Sequence, residues 1–231
     1  MSLINNVSTI LSRHAELDDI SYNPYATSSE DEISILDIDW KNIIAAPPKN
    51  SSIKTAKEMK VLYNATKSRT NKEIELLYTV DYEPLTLFYN FLEKKNLPFP
   101  KNTFDEYYNV LEQYIYALKS HFNRARPEQL APYFNIKLEV LYTDTHDTPS
   151  YPSGHTMYGA LAAHILSDKY PEYEQQFFEL AKYCGLARIL QGVHFPSDNE
   201  AAFKATAKLY DAIKRRLQNE ENKNFPIDFQ P

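Results

Sequence analysis

Three short stretches of the sequence concentrate the residue types needed to handle a phosphoryl group. In KSHFNRARP (119–127), Lys119 precedes Arg126 by seven residues and Pro127 follows. Seven residues is close to two helical turns, so both cations are expected on one helix face, about 10 Å apart. Pro127 then ends the helix and biases Arg126 toward an extended backbone. In SYPSGHT (150–156), Ser153-Gly154-His155 opens the apolar run MYGALAAHIL. A serine cap there aims free N–H groups and the positive end of a helix dipole at one point. Gly154 lets an anion approach the main chain, and His155 in the first turn can give it a proton. In ARILQGVHFPSD (187–198), Arg188, His194 and Asp198 follow in order. Asp198 can accept the Nδ1–H of His194, which leaves Nε2 unprotonated and nucleophilic. Arg188 offers a bidentate fork for phosphate oxygens.

Each stretch alone has a plainer reading. Lys119, Arg124 and Arg126 could be a solvated basic stripe, Ser153 an ordinary cap, and His194–Asp198 a surface pair. Together they specify ten positions, and agreement by chance falls below roughly one in a million. They also converge chemically, because three cations, a helix N-terminus and two histidines make a phosphate site with a nucleophile and an acid.

The elements that must position these groups read as helices. Ser51 or Ser52 caps a helix to about 67, with Ile53, Ala56, Met59, Val61 and Leu62 as its apolar positions. Further helices are expected at 71–79, 83–95, 104–125 (capped by Thr103), 154–168, 172–190 and 198–218, with 128–152 loop-rich. Ser197 and Glu200 read as a capping box for the last helix. Only four glycines occur in 231 residues, all between Gly154 and Gly192. That scarcity disfavours a large β-barrel or sandwich and removes every glycine-rich nucleotide loop.

Charge and composition narrow the partners. The net charge of −6 argues against a nucleic-acid binder. Residues 1–40 carry eight acids against Arg13, so the rest of the chain is nearly neutral. Within this acidic arm, ATSSEDE (26–32) reads as loop and ISILDIDW (33–40) as an extended, partly buried segment that packs along the body or at a subunit contact. Asp37 and Asp39 lack a third ligand nearby, so no metal is assigned to them. Cys184 stands alone and reads as a small core hydrophobe. Neither a basic-then-apolar leader nor a spanning apolar stretch is seen, so the expectation is a cytoplasmic or otherwise soluble chain without an integral membrane segment.

The order and spacing of the three motifs resemble the type 2 phosphatidic acid phosphatase superfamily, which also contains vanadium-dependent haloperoxidases. Within it the sequence is most similar to soluble bacterial class A nonspecific acid phosphatases. The similarity runs from Ala46-Pro47-Pro48 to about residue 216. It implies an all-α, single-domain helical bundle of the acid phosphatase / vanadium haloperoxidase type, with an arm (1–45), a catalytic domain (46–218) and a tail (219–231). It further implies a metal-independent phosphomonoesterase working through a phosphohistidine. His194 is then the nucleophile, Asp198 sets its tautomer, and His155 is the acid and later the base. Lys119, Arg126, Ser153, Gly154 and Arg188 hold the phosphate. No cofactor is implied; vanadate is expected as an inhibitor, a small phosphomonoester as the substrate, and a homo-oligomer is left open.

Two features depart from the family pattern. Ala187 stands where serine is usual, which is expected to weaken oxyanion binding modestly. Class A enzymes also typically carry an export leader and disulfides. The alternatives are a vanadium haloperoxidase, in which His194 would coordinate vanadate, and a non-catalytic phosphate-binding or structural protein. The loop 142–151, with Asp144, His146 and Asp147, is expected at the entrance, where its acids would disfavour polyphosphates.

Overall fold

The computed structural model describes residues 15–24, 35–143 and 145–224, with side chains to 220. The loop assigned to 26–32 and Asp144 lie outside the described residues. Among the described residues the chain is all-helical apart from one isolated bridge, Ser21 to Arg124. From residue 53 onward its α-helices are α1 (Ile53–Ser68), α2 (Asn71–Tyr82), α3 (Thr86–Lys94), α4 (Lys101–Phe122), α5 (Pro127–Leu130), α6 (Gly154–Lys169), α7 (Glu174–Gln191) and α8 (Pro196–Asn224). Short 3₁₀ turns at Trp40–Asn42, Ala131–Phe134 and Pro171–Tyr173 join them.

Helix α6 is the centre. It is apolar nearly all round, with Met157, Ala160, Leu161, Ala162, Ala163 and Leu166 fully buried, as a helix covered on every side requires. It packs against α4, α7 and α8, and the main core lies among these four. Gly159 allows the close α6–α7 contact, since a Cβ there would sit 3.0 Å from Cys184 Sγ. Cys184 is a buried core residue whose thiol burial pushes up to about 12. A second cluster joins Met59 and Leu62 of α1 to Ala125, Leu130 and Phe195, close to the motif residues. A third joins Leu77 and Val80 of α2 to Ala187.

Local sequence chemistry sets the boundaries. Ser52 caps α1 by accepting the Thr55 N–H, and Thr70 with Glu73 forms a capping box on α2. Gly192, at φ +81°, ends α7 in the left-handed region. Several expected boundaries differ. Helix α4 starts at Lys101 behind Pro100, so Thr103 is not its cap. It stops at Phe122 because Asn123 turns left-handed (φ 41°). On α1 the buried face is Thr55, Glu58, Met59, Leu62 and Thr66, whereas Ile53, Ala56 and Val61 face solvent. Residues 35–38 form bends with Leu36 buried and Trp40 opens a 3₁₀ turn, so the described part of 33–40 is not an extended segment.

The described parts of the acidic arm lie along the body. Leu36 donates its N–H to Tyr114 Oη, and Tyr22 donates its N–H to the Asn123 carbonyl. Asn50 Nδ2 holds the Leu17 and Ile20 carbonyls.

Candidate active site

Four helix ends and two connections meet at one point: the end of α4, the start of α6, the end of α7, the start of α8, and the segments 123–126 and 145–150. Helix α8 begins with Pro196 at its first position, where the missing N–H costs nothing. The expected Ser197–Glu200 capping box is absent. Asp198, two residues into the helix, reaches back instead and accepts the Phe195 N–H at 2.8 Å. Ser197 turns to Glu58 and Glu200 pairs with Lys54. Capping by Asp198 fixes its carboxylate beside the histidine four residues earlier in the sequence.

His194 Nδ1 lies 3.1 Å from Asp198 Oδ2, and its Nε2 lies 3.0 Å from Arg126 Nη1. A guanidinium can only donate, so Nε2 must present its lone pair and Nδ1 must carry the proton facing Asp198. Burial, followed by the charges of Arg126, Lys119 and Arg188, holds His194 well below the usual histidine range. Asp198 is fully buried and committed: it also accepts Ser150 Oγ–H at 2.6 Å and Arg124 Nη1–H at 2.5 Å. The imidazole is therefore neutral and fixed in one tautomer.

The expected placement of Lys119 and Arg126 on one helical face is not found. Lys119 is in the last turn of α4, while Arg126 lies beyond the left-handed Asn123 as the residue before α5. Its extended backbone (φ −76°, ψ 156°) is the conformation that the following proline favours. The two cations converge because the chain doubles back. Lys119 Nζ donates to the Pro149 carbonyl at 2.5 Å. Arg126 donates to the Thr148 and Val193 carbonyls, and its Nη2 is buried without a hydrogen-bond partner among the described residues. Burial and the neighbouring Arg126 hold Lys119 well below the lysine range.

Arg188, in the last turn of α7, is fully buried. It donates to Asp81, to Gln191 Oε1 (2.7 Å) and to Thr145 Oγ1 (3.2 Å), while its Nε is buried and unpartnered. Burial lowers it to about 9. Ser153 caps α6 by accepting the Thr156 N–H, which puts Gly154 and His155 in the first turn. Burial, then the charges of Lys119 and Arg126, lowers His155 to about 4. Its Nε2 donates to the Asp81 carbonyl at 3.0 Å, so Nδ1 is the nitrogen left to exchange a proton with a bound ester. Ala187 is buried against Leu77 and Val80, so the position where the family has serine faces an apolar contact.

Sequence reasoning missed four residues. Arg124, assigned to a solvated stripe, is buried between Asp198 and Glu58 and stacks over Phe195 at 4.0 Å. Glu58 accepts the Ser197 N–H at 2.9 Å and the Ser197 hydroxyl at 2.8 Å, a carboxylate set on the first turn of α8. Ser150 braces Asp198. Asp81 binds Arg188, Thr143 and Thr145. Glu58 had a signal: an acid at helical spacing with Thr55, Met59 and Leu62 on the buried stripe. Asp81 offered none beyond its place at the end of an apolar turn.

A cleft of about 400 Å³ opens onto this centre from the His155 side. Lys119, Gly154 and His155 form its floor, and Thr145, Asp147 and Thr148 of the 142–151 loop form part of its wall. No described group of His, Cys, Asp and Glu side chains is arranged to hold a metal ion. No described helix is long and apolar enough to cross a membrane.

Comparison with known proteins places the same stretch in a family. Residues 107–207 match the PAP2 superfamily. A non-specific acid phosphatase of Salmonella typhimurium (strain LT2) is 34% identical over 110 residues, which is 44% of this chain and 43% of the relative. A lipid A 1-phosphatase of Rhizobium johnstonii is 34% identical over 99 residues, 42% of this chain and 40% of that protein. The matched stretch thus spans less than half the length of these curated relatives. A transmembrane PAP2 type phosphatidylglycerolphosphate phosphatase from Bacillus subtilis, of known structure, aligns with a TM-score of 0.47 at 16% identity, covering 76% of this chain and 89% of that one. The stretch that supplies the two histidines, Asp198 and the three cations lies within residues 107–207, the part of the chain that is similar to the PAP2 superfamily.

Proposed function

We propose that the protein is a metal-independent phosphoric monoester hydrolase working through a phosphohistidine at His194. The observation that carries this is the pairing of a nitrogen lone pair with unspent donors. His194 Nε2 is unprotonated and buried, and Arg126 Nη2 and Arg188 Nε, both buried, lack hydrogen-bond partners among the described residues. Buried donors without partners are costly unless an anion meets them.

The chemistry follows from that placement. Phosphoryl oxygens bind Arg126, Arg188, Lys119 and the N–H groups at the start of α6. His194 Nε2 attacks phosphorus as the bond to the leaving oxygen breaks, and protonated His155 gives that oxygen its proton. Asp198 stabilises the positive charge that develops on His194. In the second half, neutral His155 takes a proton from water, which attacks phosphorus and frees Nε2. Charge on the bound phosphate counteracts the cations that depress His155, so the acid is protonated when it is needed.

The test is steady-state hydrolysis of p-nitrophenyl phosphate at mildly acidic pH, with and without a chelator and with orthovanadate as competitor. The expected result is turnover indifferent to the chelator and inhibition by vanadate that is tighter than by phosphate. Activity that needs added magnesium, or that ignores vanadate, contradicts the proposal. So does efficient peroxide-dependent bromide oxidation by vanadate-loaded protein that hydrolyses no monoester.

A further inference from the structure

The phosphatase reading locates the leaving group. Nucleophile and leaving oxygen lie in line across phosphorus, so an ester attacked by His194 extends its alcohol toward His155 and into the cleft. What lines the cleft beyond that acid therefore selects the alcohol.

Beyond its floor the cleft is walled by Tyr82, Tyr108, Tyr116 and Tyr158, with Glu112 and Asp147 among them. On α4, Tyr108, Glu112 and Tyr116 recur at four-residue spacing and form one face that runs toward Lys119. Tyr108 and Tyr158 stand edge to face with centroids 4.7 Å apart. Tyr108 donates its hydroxyl to Glu112 at 2.9 Å, and burial raises the phenols of Tyr108 and Tyr158, so both stay neutral. At the mouth Tyr82 is 92% exposed and Tyr116 is 55% exposed. Among the described residues, Lys119 is the one lysine or arginine lining the cleft, and it sits beside His155 with its amine on the Pro149 carbonyl.

Aromatic faces attract cations through their quadrupole, and carboxylates attract them through charge. An anionic alcohol would meet the carboxylates of Glu112 and Asp147, Asp81 being paired with Arg188, and among the described lining residues no lysine or arginine beyond the phosphate clamp. We infer that this cleft selects phosphomonoesters whose alcohol carries a positively charged ammonium group. The phosphate end is held by the arginines and the ammonium end by the tyrosine walls and Glu112. The inference rests on the phosphatase reading and adds the class of alcohol to it.

The experiment compares phosphocholine with 3,3-dimethylbutyl phosphate, which has the same shape with carbon in place of the charged nitrogen. The readout is the ratio of the two kcat/KM values within one protein preparation, which partial unfolding does not alter. The wild-type ratio is expected to favour phosphocholine by about tenfold or more and to shrink as salt is raised. Glu112→Gln and Tyr116→Leu are each expected to bring the ratio toward one. A wild-type ratio of one or below, with p-nitrophenyl phosphate still hydrolysed, overturns the inference and leaves the phosphatase reading standing. A ratio that neither substitution changes also overturns it. No turnover of any of the three esters overturns both.

Discussion

The two histidines sit in opposite surroundings. His194 is 2% exposed and joined through Asp198 to Arg124, Ser150 and Glu58, so α1, α8 and the segments after α4 and before α6 all fix it. His155, its side chain 13% exposed, lies at the floor of an open cleft with one ring nitrogen on a main-chain carbonyl. On the proposed mechanism the nucleophile must be neutral, in one tautomer and dry, and buried hydrogen bonds can impose all three. The acid must gain and lose a proton in each cycle, so it keeps contact with the cleft. On the proposed mechanism the fixed side sets the reaction, and on the inference drawn from the cleft the open side sets which ester reacts.

The largest effects should come from the fixed side. His194→Ala is expected to lower kcat for p-nitrophenyl phosphate by a thousandfold or more, on the order seen when a nucleophile is removed from a catalytic unit, with an unchanged circular dichroism spectrum. Near-normal turnover by this variant would break the assignment. Arg124→Ala should act through stability. It strips the buried carboxylates of Asp198 and Glu58 of their common partner, and a cost of about 3–5 kcal/mol in urea unfolding is expected. A loss below about 1 kcal/mol would return Arg124 to the exposed stripe that its sequence suggested.

The open side should show a pH signature. His155 is held at about 4, below the histidine of an unfolded chain at about 6.5. The unfolded state therefore binds the extra proton first, and stability falls as pH drops from about 6.5 toward 4. His155 alone contributes on the order of 3 kcal/mol across that window. Thermal melts without phosphate should show a steeper acid loss in the wild type than in His155→Gln, and equal slopes would contradict the assignment. The smallest effect belongs to Gly154→Ala. A Cβ there meets Ile115 and Lys119 at 3.5 and 3.7 Å, which is ordinary contact. Folding should be unchanged or firmer by up to about 1 kcal/mol, and KM should rise because the methyl group enters the floor of the cleft. A melting temperature lowered by several degrees would show that the site has no room for it.

How well each part could be read from the sequence tracks the range of the forces that set it. Ser153, Gly154 and His155 open α6, and Asp198 meets His194, because caps and four-residue neighbours are local effects that sequence displays directly. The helices were legible for the same reason, through apolar spacing and caps. Lys119 and Arg126 were correctly paired for the wrong reason. Their spacing suggested one helix, but the left-handed turn at Asn123 brings them together. Glu58 and Asp81 reach the site only through tertiary packing of α1 and α2 against α7 and α8. Spacing within a helix does not report which helix lies opposite. Arg124 failed differently: a lone arginine between two motif cations looks solvated until its two carboxylates are placed.

The central claim is a covalent bond from phosphorus to His194 Nε2, and it can be observed directly. Enzyme mixed with p-nitrophenyl phosphate is quenched in alkali within the first turnovers, digested and sequenced by mass spectrometry under conditions that preserve phosphoramidates. The account predicts a phosphoryl group on the peptide containing His194, stable in base, lost in acid and absent from His194→Ala. A phosphoryl group on His155 or on Ser153, or active wild-type enzyme that never carries one, would contradict it.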